Sequence, residues 1–336
     1  MLPTLFKRFL YRFLSISLFL SFLFPNILFA TEKPIRVGVL QFGTVSWEMD
    51  VLKTHQLDKQ AGIQVELVPL AANNALSVAL QGQSVDVIVG DWLWVSRQRA
   101  EKRLYTAVPY SLTVGQLLVR PDANVKTLAD LKGKKIGVAG GATDKSWLFL
   151  RAYSHKTLGT DLNSWVEPVF GAPPLLNQLM LRNELPATLN FWHFAARLEV
   201  AGMQPLLNVA DMLPALGIEK PIPLLVWIFD EQWANQQPET VKAFLKAAYQ
   251  AKQRLATDDA EWERIRSLTQ AEDDATFQAL KRGYRAGIPQ QFGQAEQAAV
   301  AQAFAVLAQE GGAEVVGSAN TLSAGTFWQG FSLPIE

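Results

Sequence analysis

The chain has 336 residues, enough for two lobes with separate cores, and its charge is balanced at 31 basic against 31 acidic side chains. That balance lacks the basic footprint of a nucleic-acid binder. The sequence has no cysteine, which excludes thiolate metal sites, cysteine nucleophiles, disulfides and a lipid anchor on an N-terminal cysteine.

Lys7, Arg8 and Arg12 precede an apolar run from Phe13 to Ala30 with no acid among them. This pattern reads as a signal peptide over residues 1–30, cleaved near Ala30, and places the mature protein in the periplasm. Leu28 departs from the small-x-small cleavage rule. Because the run also just reaches bilayer-spanning length, an uncleaved anchor is the competing reading.

Ile35 to Leu40 reads as a strand that runs out into Gln41-Phe42-Gly43-Thr44, followed by a helix over Val45 to Leu57. Val65 to Leu70 is a second strand, capped by Asn73 or Asn74 into a helix with an apolar face at Leu76, Ala79 and Leu80 that Gly82 stops. Val85 to Val89 is a nearly continuous apolar run, as expected of a strand covered on both faces, and Gly90-Asp91-Trp92 opens the next helix. Two successive βαβ units predict a parallel sheet with ligands at the carboxyl ends of its strands.

The same pattern returns about one hundred residues later. Lys135 to Ala139 answers Arg36 to Leu40, Val166 to Phe170 answers Val65 to Leu70, and Ala187 to Asn190 answers Val87 to Gly90. Leu76 has its counterpart in Leu176, Trp47 in Trp147 and Trp92 in Trp192. Only two copies occur, which favours two similar α/β lobes over a solenoid. Tyr110 to Val119 and Ile222 to Phe229 are two further strand-like runs that bracket the second copy. Crossings near 115 and 224 predict a two-strand hinge, with a first lobe from 31–116, a second from 117–223, and a return to the first over 224–336. Helices over Pro238 to Thr257, Ala260 to Thr269, Glu272 to Ala286 and Glu296 to Gln309 are expected to clothe the first lobe. Gly311-Gly312 should close the last of them, and the tail Thr326 to Phe331 should pack back on that lobe.

A strand, Ile136 to Ala139, leads into Gly140-Gly141-Ala142-Thr143, and a helix capped by Thr143 or Asp144 follows. Glycines let a ligand approach the backbone, and the free N–H groups of a first helical turn point at it. The loop matches neither G-x-x-x-x-G-K-[ST] nor G-x-G-x-x-G, so a carboxylate, a sulfonate or a neutral polar group suits it better than a phosphate.

Leu80-Gln-Gly-Gln-Ser-Val-Asp-Val87, Thr127-Leu-Ala-Asp-Leu-Lys-Gly-Lys-Lys-Ile-Gly-Val138, Leu158-Gly159 and Pro238-Glu-Thr-Val-Lys-Ala-Phe-Leu245 occur in this order. Over residues 33–285 the chain thereby resembles the periplasmic substrate-binding proteins of ABC importers in the nitrate, sulfonate, taurine and thiamine-precursor (NitT/TauT) group. Where that family often repeats G-E-x-D-A in the second lobe, this chain has Arg182-Asn-Glu-Leu-Pro-Ala187. The resemblance implies an α/β, type II periplasmic-binding-protein fold: two doubly wound lobes on a two-strand hinge, closing over one ligand and presenting a new surface to a membrane permease.

Geometry nominates the loops after the strands as ligand-binding: Gln41, Phe42, Thr44 and Trp47; Asp91 and Trp92; Gly140, Gly141, Ala142, Thr143, Asp144 and Trp147; Asn190, Trp192 and His193. Trp92 and Trp192 are expected to face the cleft as an aromatic clamp for a planar or apolar part of an organic ligand. Trp47 and Trp147 either join that clamp or pack as core. Asp91 and Asp144 either fix a polar end of the ligand or cap helices, and Lys145 either neutralises an anion or pairs with its neighbour in solvent. His193 is either structural or a contact. The three histidines show no metal-site spacing, and neither a cofactor nor a catalytic residue is expected. The reading is a monomeric solute-binding protein serving an ABC importer permease. Its competitors are an enzyme on the same fold, of thiamine-pyrimidine or menaquinone-pathway type, and a periplasmic sensor partner.

Overall fold

In the computed structural model, which describes residues 33–333 apart from Phe42 and Ala72, two five-stranded sheets carry helices on both faces. The expected signal peptide, residues 1–30, lies outside the described residues. The first part of the chain gives β1 (Ile35–Leu40), α1 (Val45–Thr54), α2 (Leu57–Gln60), β2 (Val65–Leu70), α3 (Asn73–Gln81), β3 (Val87–Gly90), α4 (Trp92–Ala100) and β4 (Tyr105–Ser111). The middle gives β5 (Gly115–Val119), β6 (Lys135–Ala139), α5 (Lys145–Leu158), β7 (Glu167–Gly171), α6 (Pro173–Leu181), β8 (Ala187–Phe191), α7 (Trp192–Val200), β9 (Gln204–Asn208) and α8 (Val209–Met212). The remainder gives β10 (Leu225–Asp230), α9 (Glu231–Gln236), α10 (Pro238–Thr257), α11 (Asp259–Thr269), α12 (Asp274–Ala286) and α13 (Gln294–Val316).

The strand orders are β2-β1-β3-β10-β4 and β7-β6-β8-β5-β9. In each sheet three strands run parallel, and the inserted strand, β10 or β5, pairs antiparallel with both neighbours. The two sheets therefore match position for position, which is what the hundred-residue repeat records. Gly38 and Gly137 show why the repeat holds at the level of packing. A Cβ on Gly38 would sit 3.1 Å from both Leu76 and Ile88, and one on Gly137 would sit 2.8 Å from Leu185 and Thr188 and 3.0 Å from Leu176. In both lobes a strand glycine makes room for a leucine of the helix that follows the neighbouring parallel strand.

The run Tyr110 to Val119 is not one strand. β4 ends at Ser111 in the first sheet and β5 begins at Gly115 in the second. Between them the Leu112 N–H donates to the Gly287 carbonyl at 2.8 Å, outside either ladder. The return run divides too: Ile222 and Leu224 are buried in the crossing, and the strand itself starts at Leu225. β9 carried no periodicity signal, because Gln204 and Pro205 are exposed and the strand pairs only with β5 at the sheet edge.

The last helix also differs from expectation. Gly312, at φ 55° and ψ −154°, kinks α13, after which another turn runs to Val316. The helix packs on α4 of the first lobe and on α5 of the second, so it ties the lobes together. The tail behaves as expected: the Trp328 N–H donates to the Ala107 carbonyl at 2.9 Å, and its ring meets Phe229 edge-on.

Candidate functional site

The carboxyl ends of β1, β3, β6 and β8 each release a loop that enters a helix, and the loop ends after β3 and β6 meet through Asp91 and Lys145. Asp91 caps α4, accepting the Trp94 N–H at 2.8 Å, and Asp144 caps α5, accepting the Ser146 N–H at 2.8 Å. Lys145, the first residue of α5, reaches from the second lobe to Asp91 in the first with Nζ 3.2 Å from Oδ2. Lys145 thus pairs across the cleft with Asp91 rather than with its neighbour Asp144 in solvent. Burial alone would raise the Asp91 pKa, but Lys145, the Trp94 N–H and Arg97 together hold it below the ordinary carboxylate value. Burial pushes the Asp144 carboxyl up, against the opposing effects of Lys145 and the first-turn N–H groups.

Backbone conformation explains the glycine loop. Gly140 and Gly141 have φ of 86° and 106°, the left-handed region, and a Cβ on Gly140 would lie 2.7 Å from Asp144 Oδ2. The loop thus bends back under its own cap and leaves that carboxylate oxygen at the cleft. Ala142 and Thr143 are exposed beside it, as is Gln41 in the facing loop, while Thr44 is half-buried at the start of α1. Phe42 lies outside the described residues. On the floor, Gly115 brings β5 against Ser146 and Asn190, where a Cβ would sit 2.8 Å from Ser146 Oγ.

The aromatic clamp does not form. Trp92 is fully buried and its Nε1 donates to the Pro223 carbonyl at 2.8 Å, so it fastens the return crossing. Trp147 is 1% exposed, within the core that runs through both lobes, and Trp47 is 4% exposed with Nε1 donating to the Leu268 carbonyl at 3.1 Å. Apolar area decides these cases: a tryptophan in the first turn of a helix behind a sheet gains more by burial than by facing water. Trp192 alone of the four is half-buried, edge-on to Trp47 at 6.4 Å.

Asn190 is likewise structural. Its Nδ2 donates to the Pro173 carbonyl at 3.0 Å and to Asn177 Oδ1 at 2.8 Å, and its Oδ1 accepts the Phe191 N–H, which leaves no donor for a ligand. His193 has a buried Nδ1 without a partner, and burial together with nearby Arg197 lowers its pKa to about 3, so the ring is neutral.

Two groups escaped the sequence reading. Arg197, one turn beyond His193 on α7, donates through Nη2 to the Thr269 and Gln270 carbonyls at 2.9 and 3.2 Å, and its Nε lies 3.4 Å from Glu272. It caps α11 from the other lobe, and no local pattern announces such a contact. The second group lies under Thr44, where Glu48 and Lys252 form an ion pair at 2.6 Å with both side chains buried. Tyr284 Oη donates to Glu48 at 2.9 Å, and the Lys252 ammonium lies 3.9 Å from the centre of the Tyr110 ring. Glu48 Oε1 and the Tyr110 hydroxyl are buried without partners. Burial first, and then Glu48, push both phenols well above their ordinary pKa, so they stay protonated.

Comparison with known proteins agrees with this architecture. The periplasmic aliphatic sulphonate binding protein SsuA from Escherichia coli superposes with a TM-score of 0.69 at 16% identity, covering 90% of this chain and 94% of that one. The alkanesulfonate-binding protein SsuA from Xanthomonas axonopodis pv. citri, bound to MOPS, gives 0.66 at 20% identity over 88% and 98% of the two chains. At these identities the likeness establishes the periplasmic-binding-protein fold. The L-cystine-binding protein TcyJ of Escherichia coli K12 is 33% identical over 95 residues, a match spanning 28% of this chain and 35% of that protein's length. A family model described as NMT1/THI5 like matches residues 53–261, more than half of the chain and parts of both lobes, and the chain belongs to that family.

Proposed function

We propose that the protein is the exported solute-binding component of an ABC importer, a monomer that captures a small organic molecule between its lobes and delivers it to a membrane permease without transforming it. The observation that carries this reading is the meeting of strand-end loops from two matched sheets, with Lys145 crossing to Asp91. A ligand held there would bind both lobes, and its affinity would favour their closure. The named activities of the sulfonate- and cystine-binding relatives support a transport role.

The cleft chemistry favours a ligand with a positive or N–H-donating end. Lys145 pairs directly with Asp91, whereas burial still holds the Asp144 carboxyl above its ordinary pKa despite Lys145 and the first-turn N–H groups. An ammonium or amidinium beside Asp144 offsets its burial, and a sulfonate adds a second negative charge there. The flat-face argument loses three of its four tryptophans to the core, and Trp192 alone supports a planar part.

Thermal-shift and calorimetric screens of the mature protein should compare an amine, a neutral amide and a sulfonate on one carbon skeleton. The amine is expected to stabilise most, by about 2.7 kcal/mol at a hundred times its dissociation constant. Asp144→Asn should weaken it about tenfold or more. Preferential stabilisation by the sulfonate, or chemical turnover of the bound amine, defeats the reading.

A further inference from the structure

A cavity of about 510 Å³ lies on the flank of the crossings, and none of its walls comes from the Asp91, Asp144 or Gln41 loops. One wall is α7 of the second lobe, with Trp192 and Ala196; the facing wall is α12 of the first, with Ala279 and Gly283. The crossing segments close it, through Thr113 on one and Ile218 and Ile222 on the other. The size is that of a small-molecule site. Its shape depends on Gly283, because a Cβ there would lie 2.7 Å from the Trp192 ring.

The charges at this cavity set its chemistry. Each facing helix contributes one exposed charge, Glu199 from α7 and Arg282 from α12, and the return crossing adds Glu219 and Lys220. None of these four has an ion-pair partner among the described residues. An apolar floor beneath two unpaired acids and two unpaired bases complements a molecule that carries both signs on an apolar body.

We propose that this flank cavity is a second small-molecule site, adjoining the cleft at Trp192 but built without the Asp91, Asp144 and Gln41 loops, for a zwitterion of the α-amino acid class with an aromatic or branched side chain. The side chain lies against Trp192 and between the small residues of α7 and α12. The ammonium and carboxylate meet the acids and bases at the mouth. Because both lobes and both crossings form the walls, an occupant is coupled to lobe closure, and the coupling is reciprocal.

The test is calorimetric titration of the mature protein with L-phenylalanine, phenethylamine and 3-phenylpropionate. Saturable binding of L-phenylalanine is expected, with each singly charged analogue weaker by about tenfold or more, about 1.4 kcal/mol. Ala196→Phe, which fills the cavity, should abolish it. Arg282→Gln and Glu199→Gln are exposed changes that leave folding intact, and each should weaken it. Asp144→Asn, in the cleft, should leave it unchanged. Absence of saturable binding, wild-type affinity in Ala196→Phe or in both mouth variants, or loss in Asp144→Asn overturns the assignment. Each of those outcomes leaves the cleft reading to its own amine and sulfonate comparison.

Discussion

His193 shows how one side chain makes stability depend on pH. Its native pKa of about 3 lies below the ordinary 6.5, because burial and Arg197 disfavour the imidazolium. Between those values the unfolded chain binds a proton that the native ring refuses, so stability is lost as pH falls through 6.5 and continues to fall toward the native pKa. Discounted for partial exposure, the effect amounts to about 1–3 kcal/mol between pH 7 and about pH 4. Urea unfolding at both pH values should show His193→Gln losing less stability than the wild type by that amount; equal losses would remove His193 as the cause. The sequence placed this histidine just after β8, where it is the second residue of α7. It carried no sign that Nδ1 would be buried without a partner, because that depends on how the half-turn around Phe191 aims the ring.

At the scale of elements, the strand glycines set how closely helices lie on the sheets. Gly137 is the tighter of the equivalent pair, with Leu185 and Thr188 both at 2.8 Å from a Cβ placed there, against 3.1 Å contacts at Gly38. Gly137→Ala should therefore cost about 1–3 kcal/mol by overpacking, and Gly38→Ala less. Chemical denaturation of the two variants checks the order, and a larger cost at Gly38 would contradict it. The helix starts at Asp91 and Asp144 were legible as caps from residue type and position, and both caps are made. The break between β4 and β5 was not, since apolar residues continue through it and only the partner sheets differ.

For the whole molecule, the lobes are held by contacts whose partners lie far apart in sequence. Lys145 meets Asp91, Arg197 caps α11, and α13 lies on helices of both lobes. The two polar contacts are partly exposed, so each contributes about 0–1 kcal/mol, enough to shift an open–closed equilibrium without threatening the fold. Small-angle scattering of the ligand-free Lys145→Ala/Arg197→Ala double variant should report a larger radius of gyration than the wild type. An unchanged curve would show that α13 and the apolar core alone set the lobe arrangement.

The sequence by itself determined the two-lobed parallel-sheet plan, because apolar strand runs, helix caps and a hundred-residue repeat are local or translational properties of the chain. It also determined which loops stand at the strand ends. Tertiary structure alone decided which side chains of those loops face the cleft. Trp47, Trp92 and Trp147 turned inward because burial of their rings outweighs exposure at the cleft, and Asn190 spent its hydrogen bonds on Pro173, Asn177 and Phe191. Lys145 acquired its role from an aspartate in the other lobe. Long-range pairing of this kind depends on how the two lobes dock, and a single sequence carries no local signature of it.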